Sequence, residues 1–503
     1  MDTLAKKVAT VLALGTLMSM LDVTVTIVAI PRLASTFDTP LSTVQWVTTA
    51  YTLALVAVMP TSAWMIRRFG AKRVYITALA LFVAGSALAG LAWNIESLIV
   101  FRGVQGLGAG FLQPVGMTIA LSLVDERNRG QLMAWLGLPL LIGPVLGPTV
   151  GGLLVDNVGW RSLFLINVPI GAVAITAATR LFPSSEGTRA ETLDWVSLAC
   201  LAPGGALLVY GLSQAGDAGD PFAPKVLVPA GVGLVLLVAF IIRTLRSSQP
   251  LLDLRLLRKR SLATGSGAML LIAGAYFGSM MVGPIYIQAV RGDSATTAGT
   301  IMIAQALTTG LVTQVASRLV DRTDPRRVVW FGVTATIVAM SSMTLVLDHD
   351  TPYGVLIAIG VVMGIGIGST FMPLMTAALR GVDGPVTGSA STILTTGNQF
   401  ASAIGAALIA AILTALFNSR SAVLGGQGMT AAQRLTPEER VAAAPDLASA
   451  VADTYLVTVS LLVAGMLVAL WLPRVVTPAK AQQPGRDEDT GDASETPHIG
   501  TAR

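Results

Sequence analysis

Apolar stretches of about the length of a membrane-spanning helix alternate with short polar connections along nearly the whole chain. Because a bilayer core of about 30 Å needs about 20 apolar residues in helical form, each stretch predicts one transmembrane helix. The pattern predicts an all-α polytopic membrane protein with about 14 transmembrane helices. The predicted spans are residues 8–30, 46–66, 74–93, 97–122, 132–155, 162–182, 194–213, 226–245, 262–289, 298–320, 327–347, 353–378, 394–417 and 454–472.

The composition agrees with a membrane protein. Of the 503 residues, 53% are hydrophobic and 12% are charged, and the mean hydropathy is +0.71. A soluble chain carries about 25% charged residues. The single cysteine, Cys200, excludes intramolecular disulfides and a cysteine-based metal cluster, and two histidines argue against a histidine-rich metal site. Lys6 and Lys7 precede the first span without a small-residue cleavage motif, so we expect a retained helix.

The charged residues of the connections predict how the chain is oriented. With the N-terminus in the cytoplasm, every inner connection carries Lys or Arg, from Arg67 and Arg68 to Arg474. The alternate connections are sparse and hold acids such as Asp156 and Asp348. By the positive-inside rule, both termini are expected in the cytoplasm of a bacterial-type inner membrane. These connections account for the sequence pI of 9.5, so no nucleic-acid partner is expected.

Two parts of the chain resemble each other. Ala63–Arg73 and Ser317–Arg327 share basic positions at an offset of 254. At an offset of 258, three alternate glycines of the fourth span match three of the twelfth. These are Gly106, Gly108 and Gly110 with Gly364, Gly366 and Gly368. Parallel repeats of this kind are typical of transporters whose site lies between two halves.

The repeat also predicts the domain organisation. The predicted parts are an N-terminal six-helix half (1–190), two inserted linker helices (191–250), a C-terminal six-helix half (251–474) and a disordered cytoplasmic tail (475–503). Residues 418–453 are expected to form an extracellular loop between the last two spans. Within this loop, Thr436 and Glu439 have the spacing of a capping box, which predicts a short helix.

Asp22 is a lone carboxylate inside the first span, VATVLALGTLMSMLDVTVTIVAI. A charged group at the centre of a bilayer costs about 2.5–3.5 kcal/mol on insertion scales and marks a functional site by default. Burial disfavours the charged form of a carboxylate, so Asp22 can bind and release a proton. The alternative is a structural aspartate that a neighbouring helix satisfies.

Four short motifs follow one another in the order and spacing of a known family. They are LDVTVTIVAIP (21–31), FRGVQGLGAG (101–110), GPVLGPTVGG (143–152) and WRSLFLINVPIG (160–171). Together they resemble the fourteen-helix drug:proton antiporters of the major facilitator superfamily, the EmrB/QacA type. The resemblance implies the fold of that superfamily and alternating access. It also puts Asp22 at an acidic motif position and Arg102 and Gln105 at polar ones.

Proton coupling is expected to depend on Asp22 and Arg102. At 1.5 Å per residue, Asp22 lies about 12 Å below Ile30, the expected outer end of the first helix. Arg102 lies about 6 Å below Leu98, so the two side chains are within reach of each other in the outer half. An arginine near a carboxylate favours its charged form, and moving the arginine away would change its affinity for protons.

Two further motifs of the family have expected mechanical roles. The loop between the second and third spans contains the candidate gating residues Arg68, Gly70, Lys72 and Arg73. Its basic residues either pair with an acid, for which Asp125 is the candidate, or only set the membrane topology. Arg67 stands where the family usually has an acid. The fifth span offers the antiporter motif residues Gly143, Pro144, Gly147 and Gly151, which either form a tight helix contact or are ordinary packing residues.

Candidate substrate contacts are aromatic, amide and methionine side chains of the spans, because such groups adapt to many amphipathic compounds. The candidates are Gln45, Trp46, Tyr51, Gln105, Met117, Tyr276, Phe277 and Gln288. Packing or lipid contact is the alternative for each, and Trp46 could be an interfacial anchor.

The expected function is proton-coupled export of small amphipathic compounds, such as drugs or antibiotics. The alternatives are a dedicated exporter of an endogenous metabolite, lipid or siderophore and, from a different class, a membrane sensor or enzyme. The spans contain no cluster of acids and histidines typical of an enzyme, and no nucleotide-phosphate loop is present. We therefore expect a transporter that needs no cofactor or metal and is driven by the proton gradient. We also expect it to be a monomer.

Overall fold

A computed structural model describes residues 3–123, 143, 146–147, 149–183, 194–218, 222–247, 250–320, 323–380, 382, 387–420 and 435–473. These residues are mostly α-helical and contain no β-strand, so the all-α prediction is confirmed. The helices are α1 (Thr3–Phe37), α2 (Trp46–Val58), α3 (Ala71–Gly90), α4 (Ile95–Ser122), α5 (149–157), α6 (Asn167–Leu181), α7 (Trp195–Ala218), α8 (Pro224–Arg246), α9 (Arg260–Ser279), α10 (Ala295–Val320), α11 (Pro325–Val346), α12 (Tyr353–Gly368), α13 (Thr387–Arg420) and α14 (Pro437–Ala469).

The length and composition of these helices suit a bilayer. Twelve helical stretches within the described residues are long and apolar enough to cross a membrane, and Trp46–Thr61 is a shorter apolar helix. Most of the predicted fifth span, 132–155, lies outside the described residues, and its described end belongs to α5. Short helical turns continue several spans: Ser62–Phe69 after α2, Ser162–Leu165 before α6, Val282–Ile285 and Tyr286–Val290 after α9, and Phe371–Leu379 after α12.

Two helix ends differ from the sequence predictions. α1 continues past Ile30 and through Pro31 to Phe37, so the estimate that took Ile30 as its outer end was wrong. A proline within a helix removes only one backbone donor, and neighbouring helices can compensate for it in a membrane. Thr436 and Glu439 do form a capping box, but the helix that they begin is α14, which runs unbroken to Ala469. The predicted loop 418–453 is therefore helical at both ends; residues 421–434 and 475–503 lie outside the described residues.

The glycines of the repeat make equivalent contacts in both halves. A Cβ on Gly110 would lie 2.5 Å from the Leu55 carbonyl oxygen, and one on Gly368 would lie 2.7 Å from that of Thr309. Thr309 is related to Leu55 by the offset of 254. In the same way, Gly106 lies against the Tyr51 carbonyl and Gly364 against the Gln305 carbonyl. Gly108 lies against the α3 backbone, and Gly366 lies against the α11 backbone. The repeat is therefore also present in the packing.

The two halves pack against each other at the end of the bundle predicted to be outer. Nε2 of Gln288 donates a hydrogen bond to the Val28 carbonyl oxygen at 3.2 Å. Asp156, at the end of α5, accepts from the backbone amide of Thr296 at 2.8 Å. One hydrophobic cluster also joins Val28 and its neighbours on α1 to residues of the C-terminal half around Ile285. The outer end is therefore closed.

The inserted helices α7 and α8 form an antiparallel pair whose first member covers the seam between α2 and α13. Val209 of α7 packs with Leu53 of α2 and Ala403 of α13 in one buried cluster. Nε1 of Trp46 donates to the Ser213 hydroxyl at 3.3 Å. The pair thus contacts both halves of the molecule at one side.

Candidate functional site

An ion pair lies at the centre of the N-terminal half. Asp22 of α1 and Arg102 of α4 form a salt bridge, and both side chains are 0% exposed. The Arg102 guanidinium donates a second hydrogen bond from Nη1 to Oε1 of Gln105, at 2.7 Å. Gln105 lies one turn further along α4 and donates from Nε2 to Oδ1 of Asp22 at 2.8 Å. These three residues therefore form a closed ring of polar contacts within the apolar bundle.

A third helix adds a donor to the same carboxylate. Nδ2 of Asn167, the first residue of α6, donates to Oδ1 of Asp22 at 3.1 Å and contacts the Ser86 hydroxyl at 3.0 Å. Ser86 in turn donates to the Phe164 carbonyl oxygen at 2.8 Å. Asn167 and Ser86 are buried and were not predicted from the sequence. Asn167 lies within the WRSLFLINVPIG motif, which was the available signal.

The Arg102 side chain is held on all sides by protein. Nε donates to the Val47 carbonyl oxygen at 3.0 Å, and the guanidinium carbon lies 4.3 Å from the centre of the Tyr51 ring and 5.4 Å from that of Phe164. Its Nη2 has no hydrogen-bond partner among the described residues. Cation–π contacts of this kind stabilise a desolvated guanidinium. The arginine is thereby fixed in position next to the carboxylate.

The glycines of the fifth span face α1 around the ion pair. A Cβ on Gly143 would lie 2.8 Å from Cβ of Met20, and one on Gly151 would lie 3.0 Å from Cα of Val25. A Cβ on Gly147 would collide with the Thr24 side chain. The three glycines thus permit close approach to the α1 segment that carries Asp22. Pro144 lies outside the described residues.

The predicted gating residues are near one another in sequence but have different surroundings. Gly70 ends the Ser62–Phe69 helix at φ +84°, a conformation that favours glycine. Nζ of Lys72 donates to the Phe182 carbonyl oxygen at 2.7 Å. Arg68 and Arg73 are exposed. Asp125, their expected partner, lies outside the described residues, so the predicted latch stays a prediction.

The predicted substrate contacts fall into separate groups. Tyr51 and Gln105 belong to the ion-pair site, while Gln45 contacts the Met281 sulfur and Gln288 contacts α1, both across the two halves. Trp46 packs against Tyr210 of the inserted helix α7. The rings of Tyr276 and Phe277 pack edge to face with their centres 5.0 Å apart, and Phe371 lies against both rings. Met117 is half-buried on α4.

Two helical halves related by a repeat, one of which encloses a buried ion pair, are typical of secondary transporters of the membrane. The family model of the Major Facilitator Superfamily matches residues 12–406, with a second match over 266–500. The chain belongs to the Major Facilitator Superfamily.

Known relatives narrow the family to the EmrB/QacA type. The chain is 32% identical over 485 residues to the multidrug resistance protein B homolog of Mycobacterium tuberculosis (strain ATCC 25618 / H37Rv), covering 93% of this chain and 90% of that protein. It is 28% identical to the multidrug export protein EmrB of Haemophilus influenzae, covering 79% and 78% of the two chains. The predicted family is therefore confirmed.

A solved structure agrees with the fold. A bacterial homologue of the human lysosomal transporter Spinster, in an inward-facing and unoccupied conformation, superimposes with a TM-score of 0.66 at 16% identity. The match covers 95% of this chain and 100% of that one. By its family and its relatives, the protein is a multi-pass membrane transporter for small molecules and not an enzyme.

Proposed function

We propose that the protein is a proton-coupled antiporter that exports small amphipathic compounds, including drugs and antibiotics, by alternating access. The observation that carries this proposal is the fully buried salt bridge between Asp22 and Arg102. Buried ion pairs contribute little net stability, because desolvation offsets their attraction. A transporter has reason to keep one in the membrane, because a carboxylate can carry a proton between two conformations.

The donors around Asp22 support a two-state mechanism. In the outer-closed arrangement, Arg102, Gln105 and Asn167 all donate to the Asp22 carboxylate. Both oxygens of Asp22 accept hydrogen bonds here, so the proposed cycle places the proton-free carboxylate in this state. When the outer end opens, α1 moves relative to these donors, and Asp22 binds a proton from the outside. Substrate leaves in that state.

The proton gradient supplies the energy, and no cofactor is needed. The basic connections support an orientation with both termini in the cytoplasm of a bacterial inner membrane. The names of the relatives, which refer to multidrug resistance and multidrug export, support a drug-like substrate class. We propose that the working unit is a monomer surrounded by lipid.

The test is transport into everted membrane vesicles with an imposed acid-inside pH gradient. A panel of ethidium, other organic cations and neutral antibiotics is compared for wild type, Asp22→Asn and the control Asp350→Asn, whose carboxylate is exposed. Wild type and Asp350→Asn should accumulate at least one compound when the gradient is imposed. Asp22→Asn should insert normally but show no gradient-driven accumulation; accumulation equal to wild type would refute the proposal.

A further inference from the structure

The repeat assigns counterparts in the C-terminal half to four residues of the ion-pair site. The offset of 254, found for Ala63–Arg73 and Ser317–Arg327, is extended to the helices that precede these segments, and the offset of 258 is that of the glycine-rich helices. The counterparts are Tyr276 for Asp22, Gln305 for Tyr51, Gly360 for Arg102 and Met363 for Gln105. The C-terminal half therefore replaces the two charged side chains by a tyrosine and a glycine.

All four counterparts line one cavity. Its volume is about 80 Å³, and it lies between α9, α10, α11, α12 and α14. The space arises because Gly360 has no side chain where α4 carries the long Arg102. The helix after α9 is irregular beside this cavity, with a π-helical turn at Tyr286–Val290, and such turns are frequent at functional sites.

The lining combines one polar pair with adaptable apolar side chains. Nε2 of Gln305 donates to the Tyr276 hydroxyl at 3.4 Å. Four methionines surround this pair, three on helices and one directly after α9: Met302, Met343, Met363 and Met280. Methionine is flexible and polarisable and is common at surfaces that bind varied apolar ligands. The cavity therefore suits an apolar group next to one hydrogen-bonding position.

Gly360 differs from the other glycines of α12 because a side chain on it would enter the cavity. A Cβ on Gly360 would lie 3.5 Å from Cβ of Gln305, an ordinary van der Waals contact. A Cβ on Gly364 would lie 2.6 Å from the Gln305 carbonyl oxygen and would force the helices apart. Gly364 is thus needed for packing, whereas the absence of a side chain at Gly360 creates space.

We propose that this cavity is a substrate subsite that binds a short alkyl chain or the edge of an aromatic ring of the exported compound. The proposal rests on the proposed function and adds to it a division between halves: the N-terminal half holds the proton site, and the C-terminal half holds the apolar end of the substrate. An engineered apolar cavity of about 150 Å³ binds benzene, so about 80 Å³ suits a smaller group.

The experiment measures binding of methyl-, ethyl-, propyl- and butyl-triphenylphosphonium to the purified full-length protein by titration calorimetry, with empty micelles as the blank. Burial of each methylene should increase the affinity about fourfold in wild type. Gly360→Leu fills the cavity and should remove this dependence on chain length. Gly354→Leu is the control on the same helix, because a Cβ there meets nothing within 4 Å.

The outcomes separate this proposal from the proton mechanism. Equal chain-length dependence in wild type and Gly360→Leu would overturn the subsite. If Gly360→Leu does not fold, Met302→Phe, which fills the same cavity from α10, decides in its place. Asp22→Asn should keep the chain-length dependence, because it does not alter the cavity. If the affinity stops depending on chain length only in Gly360→Leu and Met302→Phe, the subsite is supported whether or not Asp22 carries the proton.

Discussion

The two halves share a packing scheme but differ in what they enclose. Gly106 and Gly364 allow the same close helix approach, against the Tyr51 and Gln305 carbonyls. Beside this contact, the N-terminal half holds a salt bridge, and the C-terminal half holds an apolar cavity. Backbone packing and the chemistry of the site therefore vary independently between the two halves.

If stability alone mattered, both the buried salt bridge and the cavity would be unfavourable. A buried ion pair pays for its desolvation, and a cavity loses the contacts of the missing atoms. Their occurrence at equivalent positions supports a functional reason for each. Substitutions in one half, or matched substitutions in both halves, can test these reasons.

The largest effect is expected from Arg102→Ala, which leaves Asp22 without its cation. Breaking a buried pair costs about 3–5 kcal/mol. Arg102→Lys should rescue little, because the guanidinium makes separate contacts with Asp22, Gln105 and the Val47 carbonyl. Thermal melting in detergent and vesicle transport measure the two consequences. Wild-type melting and transport in Arg102→Ala would contradict the role of the pair.

A smaller effect is expected where the fifth span contacts α1. In Gly147→Leu, the added side chain collides with Thr24 and separates the helices next to Asp22, so gradient-driven transport should fall at least tenfold. Gly103→Ala is the control, because a Cβ at that position of α4 meets nothing within 4 Å. Unchanged transport in Gly147→Leu would show that close contact with α1 is not required.

Matched substitutions test whether the packing of the two halves is truly equivalent. Gly106→Ala and Gly364→Ala each place a Cβ against a backbone carbonyl, and overpacking of this kind costs about 1–3 kcal/mol. We expect similar losses of melting temperature in both variants. Gly360→Ala should be close to neutral, because its Cβ has room. A neutral Gly364→Ala would break the equivalence.

The smallest effect is expected from Asn167→Ala. This change removes one donor to Asp22 and leaves the salt bridge, so it should cost about 1–2 kcal/mol. Gradient-driven transport should fall by less than in Arg102→Ala, because the salt bridge remains. Thermal melting in detergent and vesicle transport measure the two effects. Unchanged transport with a lowered melting temperature would limit Asn167 to a packing role.

Much of the fold could be predicted because each span carries its own hydropathy signal. The family motifs likewise pointed to Asp22, Arg102 and Gln105 before their contacts were known. The predicted end of α1 was wrong because the apolar window stops at Ile30, whereas the helix continues through Pro31 to Phe37 and buries Leu33 and Ala34 in the core. Local sequence does not encode such a continuation.

The contacts of Asn167, and the existence of the cavity, depend on how the helices are placed relative to one another. The sequence therefore could not predict them. Asn167 donates across three helices, so its role depends on how α6 is placed beside α1 and α3. The cavity is lined by residues of different helices, among them Gly360, Gln305 and Met343. Hydrophobic periodicity identifies helices but does not determine which faces meet.

The most direct measurement of the central claim is proton release when substrate binds. Purified protein in weakly buffered detergent solution is mixed with ethidium, and a pH indicator reports released protons while dye fluorescence reports binding. His349→Asn is the control. The hydrogen bond that the His349 ring donates to the Asp348 carboxylate raises the pKa of His349, so this histidine keeps its proton to higher pH than an isolated histidine and loses it as the pH rises. Wild type and His349→Asn should release protons on binding, and Asp22→Asn should bind dye without release. Equal proton release from Asp22→Asn would contradict the account.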